Sequence, residues 1–435
     1  MNYGRIAHLL IAIIVLAACQ NLSGQTIHLG AADRGPVPRS LFNLNILGIS
    51  ENSGWPAFPF SSWRDFHFKW QDLEPTQGQW NFSRSDHDVQ EALHHGVDIV
   101  AVLIGIPKWA ASGEEASKSD AQIAKPASLS DWANYVHTVA QRYKGQIHYY
   151  ELWNEPENVN TFLRDPSSLI ALNRVAYQTL KSVDPTIVVV SSALSSGDPV
   201  PARPARQLQL FAAAGLMKDC DAISYHFYGI PVTGETTPRI PEDMLVPINS
   251  VEAAMTQPGS KKPLWATEIG WYVLNDDQNP QPAPSYMGRA LEPELAAAYV
   301  ARTYILGWAA GLDRIFWYCW RHGYMGLTEC NGGPKAPSIA YANVEKWLVG
   351  SEIVSCDRND RGSWICQLNS SNGKGDFIAW TEGNSAQFDI PPSWQIHGFK
   401  SLDGRDHDLG SQTSVMISDS PILLLGSGDS KNLSQ

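Results

Sequence analysis

Two glutamates carry the chemistry this sequence suggests. Glu155 stands in Tyr150-Glu151-Leu152-Trp153-Asn154-Glu155-Pro156, and Glu268 in Leu264-Trp265-Ala266-Thr267-Glu268-Ile269-Gly270-Trp271. Each ends a short apolar run of strand character, and Pro156 opens the turn beyond the first. A pair of carboxyl groups at one cleft is the equipment for cleaving a glycosidic bond. One protonates the leaving oxygen, while the other attacks the anomeric carbon or activates water. The acid must hold its proton near neutral pH, which partial burial and a neighbouring carboxylate provide. Two other acids have quieter readings. Glu151 lies four residues before Glu155, so a strand period of two points it into the same interior, but deeper, where it pairs with Arg64. Glu74, in a Glu-Pro loop, reads as a loop-fixing residue.

Elements that bring residues 155 and 268 together must alternate regularly, and they do. Short apolar strands are predicted at Phe42–Gly48, Trp63–Phe68, Asp98–Ile104, Ile147–Trp153, Ile187–Ser192, Ala222–His226, Pro263–Glu268 and Arg314–Trp317. Amphipathic helices separate them, for example Leu129–Tyr143, Ser167–Val183 and Glu292–Ala310, with cap chemistry at Ser130-Asp131 and Asp165-Pro166-Ser167. Eight βα units in one run fit a closed (β/α)8 TIM barrel over residues 38–350, an α/β fold whose chemistry lies at the C-terminal strand ends. Strands four and seven face each other across such a barrel. After Gly350 the pattern shifts to short alternating strands between turns, a small all-β, sandwich-like domain over 351–426. Residues 20–37 form an N-terminal segment that lends that domain an extra strand at Thr26–Gly30, and 427–435 read as a disordered tail.

The constellation resembles clan A of the glycoside hydrolases. The resemblance runs the length of the barrel: Trp63-Arg64, the loop Trp70-Gln71-Asp72-Leu73-Glu74-Pro75-Thr76-Gln77-Gly78-Gln79-Trp80-Asn81-Phe82, Asn154-Glu155, Ser224-Tyr225-His226-Phe227-Tyr228, Glu268 and Phe316-Trp317-Tyr318-Cys319-Trp320. Pro107-Lys108-Trp109-Ala110 and the β-domain bring it nearest to family 39. This resemblance implies a retaining mechanism, with Glu155 as acid/base and Glu268 as nucleophile, their carboxyl groups about 5–5.5 Å apart. It further implies that Asn154 binds the sugar 2-hydroxyl, that Tyr228 and Arg64 hold Glu268 ionised, and that His226 lines the site beside it. Trp320 would floor the reacting-sugar subsite, strand alternation setting it against Trp317, with Trp109 as an outer wall.

Bulk properties narrow the partners. Among 435 residues the formal charge is −12, which argues against nucleic acid, while 16 Trp and 15 Tyr supply rings for stacking on sugars. An apolar run, Leu9–Leu16, followed by Leu16-Ala17-Ala18-Cys19 resembles a bacterial lipobox, so residues 1–19 read as a lipoprotein signal with lipidation at Cys19. Export and a lipid anchor, at the outer membrane or cell surface, follow from that reading. In an oxidising compartment Cys356 and Cys366, flanking a turn, make a plausible disulfide, and Cys319 with Cys330 a second pairing. No metal or cofactor is implied, and no Gly-x-Ser-x-Gly elbow or Gly-rich phosphate loop is present. The favoured substrate is a β-linked oligo- or polysaccharide, cut internally. Two alternatives stay open: a non-catalytic carbohydrate-binding lipoprotein, and an exopolysaccharide-processing glycosidase within an export assembly.

Overall fold

Short runs of β-branched and aromatic residues form eight parallel strands: β1 (Phe42–Asn45), β2 (Ser62–Asp65), β3 (Asp98–Leu103), β4 (Tyr149–Leu152), β5 (Val188–Val190, resumed at Leu194–Ser195), β6 (Ile223–His226), β7 (Leu264–Ile269) and β8 (Leu312–Trp317). The computed structural model describes residues 24–49, 54–112, 125–197, 203–231, 235, 237–255, 261–275 and 288–427. The lipobox with Cys19, most of the tail and the middle of the loop after β7 lie outside the described residues. The sheet runs β5-β4-β3-β2-β1-β8-β7-β6, and β6 returns to β5 through Tyr225 opposite Leu194 and a bridge from Val190 to Ala222. The strands thus close on themselves as a barrel.

Helices cover the outside: α1 (Ser83–His94), α2 (Leu129–Arg142), α3 (Pro166–Val183), α4 (Arg203–Ala214), α5 (Leu245–Ala254), α6 (Pro293–Ala309) and α7 (Ala336–Leu348). Their apolar faces, such as Trp132, Tyr135, Val136 and Val139 on α2, are buried in the main core. The cap of α2 is Ser128, whose hydroxyl accepts from the Asp131 N–H at 3.3 Å, two residues before the expected Ser130. Among the described residues no helix is long and apolar enough to cross a membrane.

Beyond α7 the chain builds antiparallel strands: β9 (Glu352–Arg358), β10 (Ser363–Asn369), β11 (Gly375–Thr381), β12 (Ala386–Asp389), β13 (Ile396–Lys400), β14 (Asp406–Asp408), β15 (Ser414–Ile417) and β16 (Ile422–Gly426). Residues Ile27–Gly30 pair antiparallel with β9, and a ribbon of β12 and β15 packs beside the larger sheet. Three of these strands, β12 to β14, have no counterpart in the sequence reading; β12 and β14 alternate only between half-buried and exposed positions, so they leave little hydrophobic signal. Cys356 and Cys366 face each other across β9 and β10 and are joined as a disulfide. The second pairing is not made. The thiol of Cys319 points to the Arg321 carbonyl and that of Cys330 to the His322 carbonyl. Barrel and β-domain are pinned by buried Glu242, which accepts from Arg302 of α6 and, at 2.9 Å, from Trp380 Nε1 of β11.

Candidate active site

Arg64 organises the barrel mouth. It sits in β2 with no exposed surface and spreads its fork over four partners. Nε donates to Glu151 at 2.5 Å, one terminal nitrogen to Glu268 at 2.5 Å and Asn45 at 3.2 Å, and the other to Asn154 at 2.8 Å and Glu151 at 3.2 Å. Burial works against its charge, but the carboxylates of Glu151 and Glu268 outweigh that and hold it protonated above its ordinary value. Glu151 lies beneath, fully buried, accepting also from Ser224 at 2.9 Å and Thr267 at 3.3 Å.

Local backbone aims the two glutamates. Beyond β4, Trp153 and Glu155 both adopt left-handed conformations, with φ of 71° and 45°. Such conformations cost on the order of 1–3 kcal/mol each in a non-glycine residue and persist only where the surroundings enforce them. Here they send Trp153 outward against Trp132 and Phe162 while Asn154 turns to Arg64 and Glu155 to His226. Beside β7, register shifts near Ala266 to Ile269 mark a bulge, so Thr267 and Glu268 both reach inward, one to Glu151 and the other to Arg64.

Glu155 and Glu268 converge: one oxygen of each and a ring nitrogen of His226 all lie within 4.8 Å of one another. Glu268 accepts from Arg64 on one oxygen and from the Tyr228 hydroxyl on the other at 2.6 Å, so both oxygens have donors. Burial and then the charge of Glu268 push Tyr228 well above its ordinary value, which keeps it a donor. Glu155 accepts from His226 Nδ1 at 2.9 Å and from Asn158 Nδ2 at 3.0 Å. Burial alone would raise its carboxyl, but the hydrogen bond and charge of His226, then Arg64 and Ser195, bring it below the usual range. His226 serves mainly Glu155; its contact to Glu268 is longer, at 3.6 Å. Because Asn154 gives its carbonyl oxygen to Arg64, its N–H2 is left to face a ligand.

The aromatic expectations divide. Trp320 is 3% exposed, its backbone N–H bonded to the Asn45 carbonyl and its ring under Arg321, so it belongs to the core and not to the cleft floor. Trp317 is 1% exposed against Trp271. The half-buried ring beside the carboxylates is Tyr318, centred 6.3 Å from Tyr228 and within the field of Glu268 and Arg64. Strand β8 ends at Trp317, so alternation no longer governs the residues beyond it. Trp109 is tied to the Glu74 carbonyl at 2.9 Å and meets Trp70 edge-on, part of the wall built by that loop. Glu74 accepts from Trp70 Nε1 and the Gly78 N–H, both at 2.7 Å, which fixes the loop.

A second ionic group flanks the mouth at the end of β2. His67 Nδ1 lies 2.9 Å from Asp65 and 2.8 Å from Asp88 of α1, and these three also lie close enough together to share an ion. Burial opposes the His67 cation, but the bonds and charges of the two carboxylates raise it to about 9. The folded value exceeds the unfolded one of about 6.5, so this contribution to stability is complete below that pH and is lost as pH rises through about 9. Thermal unfolding midpoints are expected to fall across that window in the native protein and less steeply in His67→Asn. Equal slopes would locate the titration elsewhere.

Comparison with known proteins agrees with this fold. The sequence pattern of Glycosyl hydrolase family 10 matches residues 65–182, from the end of β2 through α3. Endo-1,4-beta-xylanase 1 of Gibberella zeae is 23% identical over 180 residues, which is 39% of this chain and 47% of that protein, so the match spans less than half of its length. A family 39 glycoside hydrolase from the gut symbiont Bacteroides cellulosilyticus WH2 superposes with a TM-score of 0.68 at 18% identity, over 90% of this chain and 81% of the other. A GH30 endoxylanase from Clostridium papyrosolvens C71 gives 0.57 at 16% identity, over 92% and 98%. A monomeric beta-xylosidase from Caulobacter crescentus CB15 gives 0.57 at 14%, over 91% and 97%. At such identities the superpositions speak for the fold. In its barrel, its appended β-domain and the sequence of its early strands, this chain resembles the clan A glycoside hydrolases, and the family 39 type fits it along most of its length.

Proposed function

We infer that this protein is a retaining glycosidase that cuts a β-linked polysaccharide, most simply a xylan, within the chain. One observation carries the reading: Glu155 and Glu268 approach within 4.8 Å at the ends of β4 and β7, each with its own set of donors. That approach suits the roughly 5–5.5 Å spacing of a nucleophile and an acid/base, and is shorter than the roughly 6.5–9.5 Å that seats a water beside the sugar, which favours double displacement over inversion. In the first step Glu155 gives its proton to the glycosidic oxygen as the C1–O bond breaks, and Glu268 attacks C1 to form a glycosyl ester. In the second, Glu155 takes a proton from water, which attacks C1 and releases Glu268. Asn154 would grip the 2-hydroxyl and Tyr318 the face of the reacting sugar. The xylan assignment rests on the names of the relatives, and the internal cut on the aromatic wall at Trp109. An N-terminal lipid at Cys19, with export to the cell surface, belongs to the same proposal and predicts incorporation of labelled palmitate that Cys19→Ser abolishes.

The test is incubation of the protein lacking residues 1–19 with xylan, other β-linked polymers and aryl β-glycosides, following product length and anomeric form by proton NMR. Early β-anomeric oligosaccharides are expected from xylan. Release of monosaccharide alone would overturn internal cutting, and early α-products would overturn retention. Binding of a polymer without any cleavage would favour the carbohydrate-binding lipoprotein instead.

A further inference from the structure

Each carboxylate oxygen of Glu155 lies within hydrogen-bond distance of a side-chain nitrogen, and with His226 protonated on Nδ1 both nitrogens donate. His226 Nδ1 serves Oε1 at 2.9 Å and Asn158 Nδ2 serves Oε2 at 3.0 Å. Donors on both oxygens suit an anion, whereas an acid needs one oxygen free to carry and release a proton. The two donors differ in their freedom. His226 is fully buried on β6, with Nε2 unpartnered among the described residues, so it is fixed by the barrel. Asn158 is exposed at the end of the turn Pro156–Asn158, which directly follows Glu155. Of the two, only Asn158 can withdraw without disturbing a strand.

We propose that Asn158 is a positioning residue that holds Glu155 ionised until a leaving-group sugar occupies the cleft, and so sets the pH above which the proton-donating step fails. The proposal rests on the acid/base reading of Glu155. The charged and titratable groups facing Glu155 are His226 on β6, Arg64 on β2, Glu268 on β7 and Tyr228 beyond β6; Ser195, at the end of β5, adds a hydroxyl. Glu268 opposes ionisation of Glu155, and Arg64 with the N–H donors favours it. Asn158 is the contributor that lies outside the barrel wall and is not itself charged. In the second chemical step Glu155 acts as a base, and there the same donor helps.

The test reads the proton directly. In full-length protein carrying 13C at the glutamate side-chain carboxyls, the Glu155 signal is identified by its loss in Glu155→Gln. Its titration midpoint is expected to rise by roughly half a unit in Asn158→Leu, toward the low end for a hydrogen bond to a charge because Asn158 is exposed. Asn158→Asp, which replaces a donor by an anion, is expected to raise it further. The alkaline limb of kcat/KM on β-1,4-xylo-oligosaccharides should move with the midpoint, making Asn158→Leu roughly threefold faster on the alkaline side and Asn158→Asp faster still. Coincident midpoints in native, Leu and Asp proteins overturn the proposal. Midpoints that move while the limb stays put leave Asn158 in its role toward Glu155 and overturn the acid/base reading instead.

Discussion

Glu268→Gln is expected to lower kcat/KM on the cleaved polysaccharide by on the order of 10⁴-fold or more, with the unfolding midpoint nearly unchanged. The amide keeps the size of the side chain and can still face the Tyr228 hydroxyl, which now lies 2.6 Å from one carboxylate oxygen. It cannot form the glycosyl ester, and a loss of that size corresponds to about 5.5 kcal/mol of transition-state stabilisation. Glu151→Gln is the informative contrast. Glu151 is fully buried below the mouth, bonded to Arg64, Ser224 and Thr267, with no path to a ligand. Its substitution is expected to reduce stability first and activity second. Side-by-side rates and melting curves of the two variants decide the matter. If Glu268→Gln retains more than a few per cent of the native rate, the nucleophile has been misplaced.

Arg64→Met is expected to cost roughly 3–5 kcal/mol of stability, since it strips the counter-charge from a buried network. Glu151 is wholly buried and Glu268 is 6% exposed, so water can replace little of what the guanidinium supplies. Asn154 would also lose the donor that fixes its amide, and catalysis should fall together with stability. Arg64→Lys restores a charge but a single point of contact, where the native fork reaches four side chains. It should therefore recover part of the stability and little of the activity. Urea unfolding of the three proteins, with rates measured well below each midpoint, tests both halves. A Lys variant as active as the native protein would mean that charge alone, without the fork, positions the site.

The amino-acid sequence by itself determined the barrel, because alternating apolar strands and amphipathic helices leave a chain few ways to bury both patterns. Glu155 and Glu268 were legible as strand-end residues and Glu151 from the strand period, whereas Arg64 and Asn154 were legible only through the resemblance to clan A. Where regular geometry stops, that legibility stops with it. Left-handed backbone at Trp153 and Glu155 and the bulge beside Glu268 break the period of two, and each is imposed by contacts distant in sequence. Tyr318 stands at the carboxylates, and not Trp320, because β8 ends one residue earlier and the chain beyond follows its packing. Asn158 meets Glu155 across the turn that Pro156 opens, but nothing in the sequence says which side chain of that turn reaches the carboxylate. Local periodicity is written in neighbours along the chain, whereas the aim of a catalytic side chain is settled by partners that only the closed barrel brings within reach.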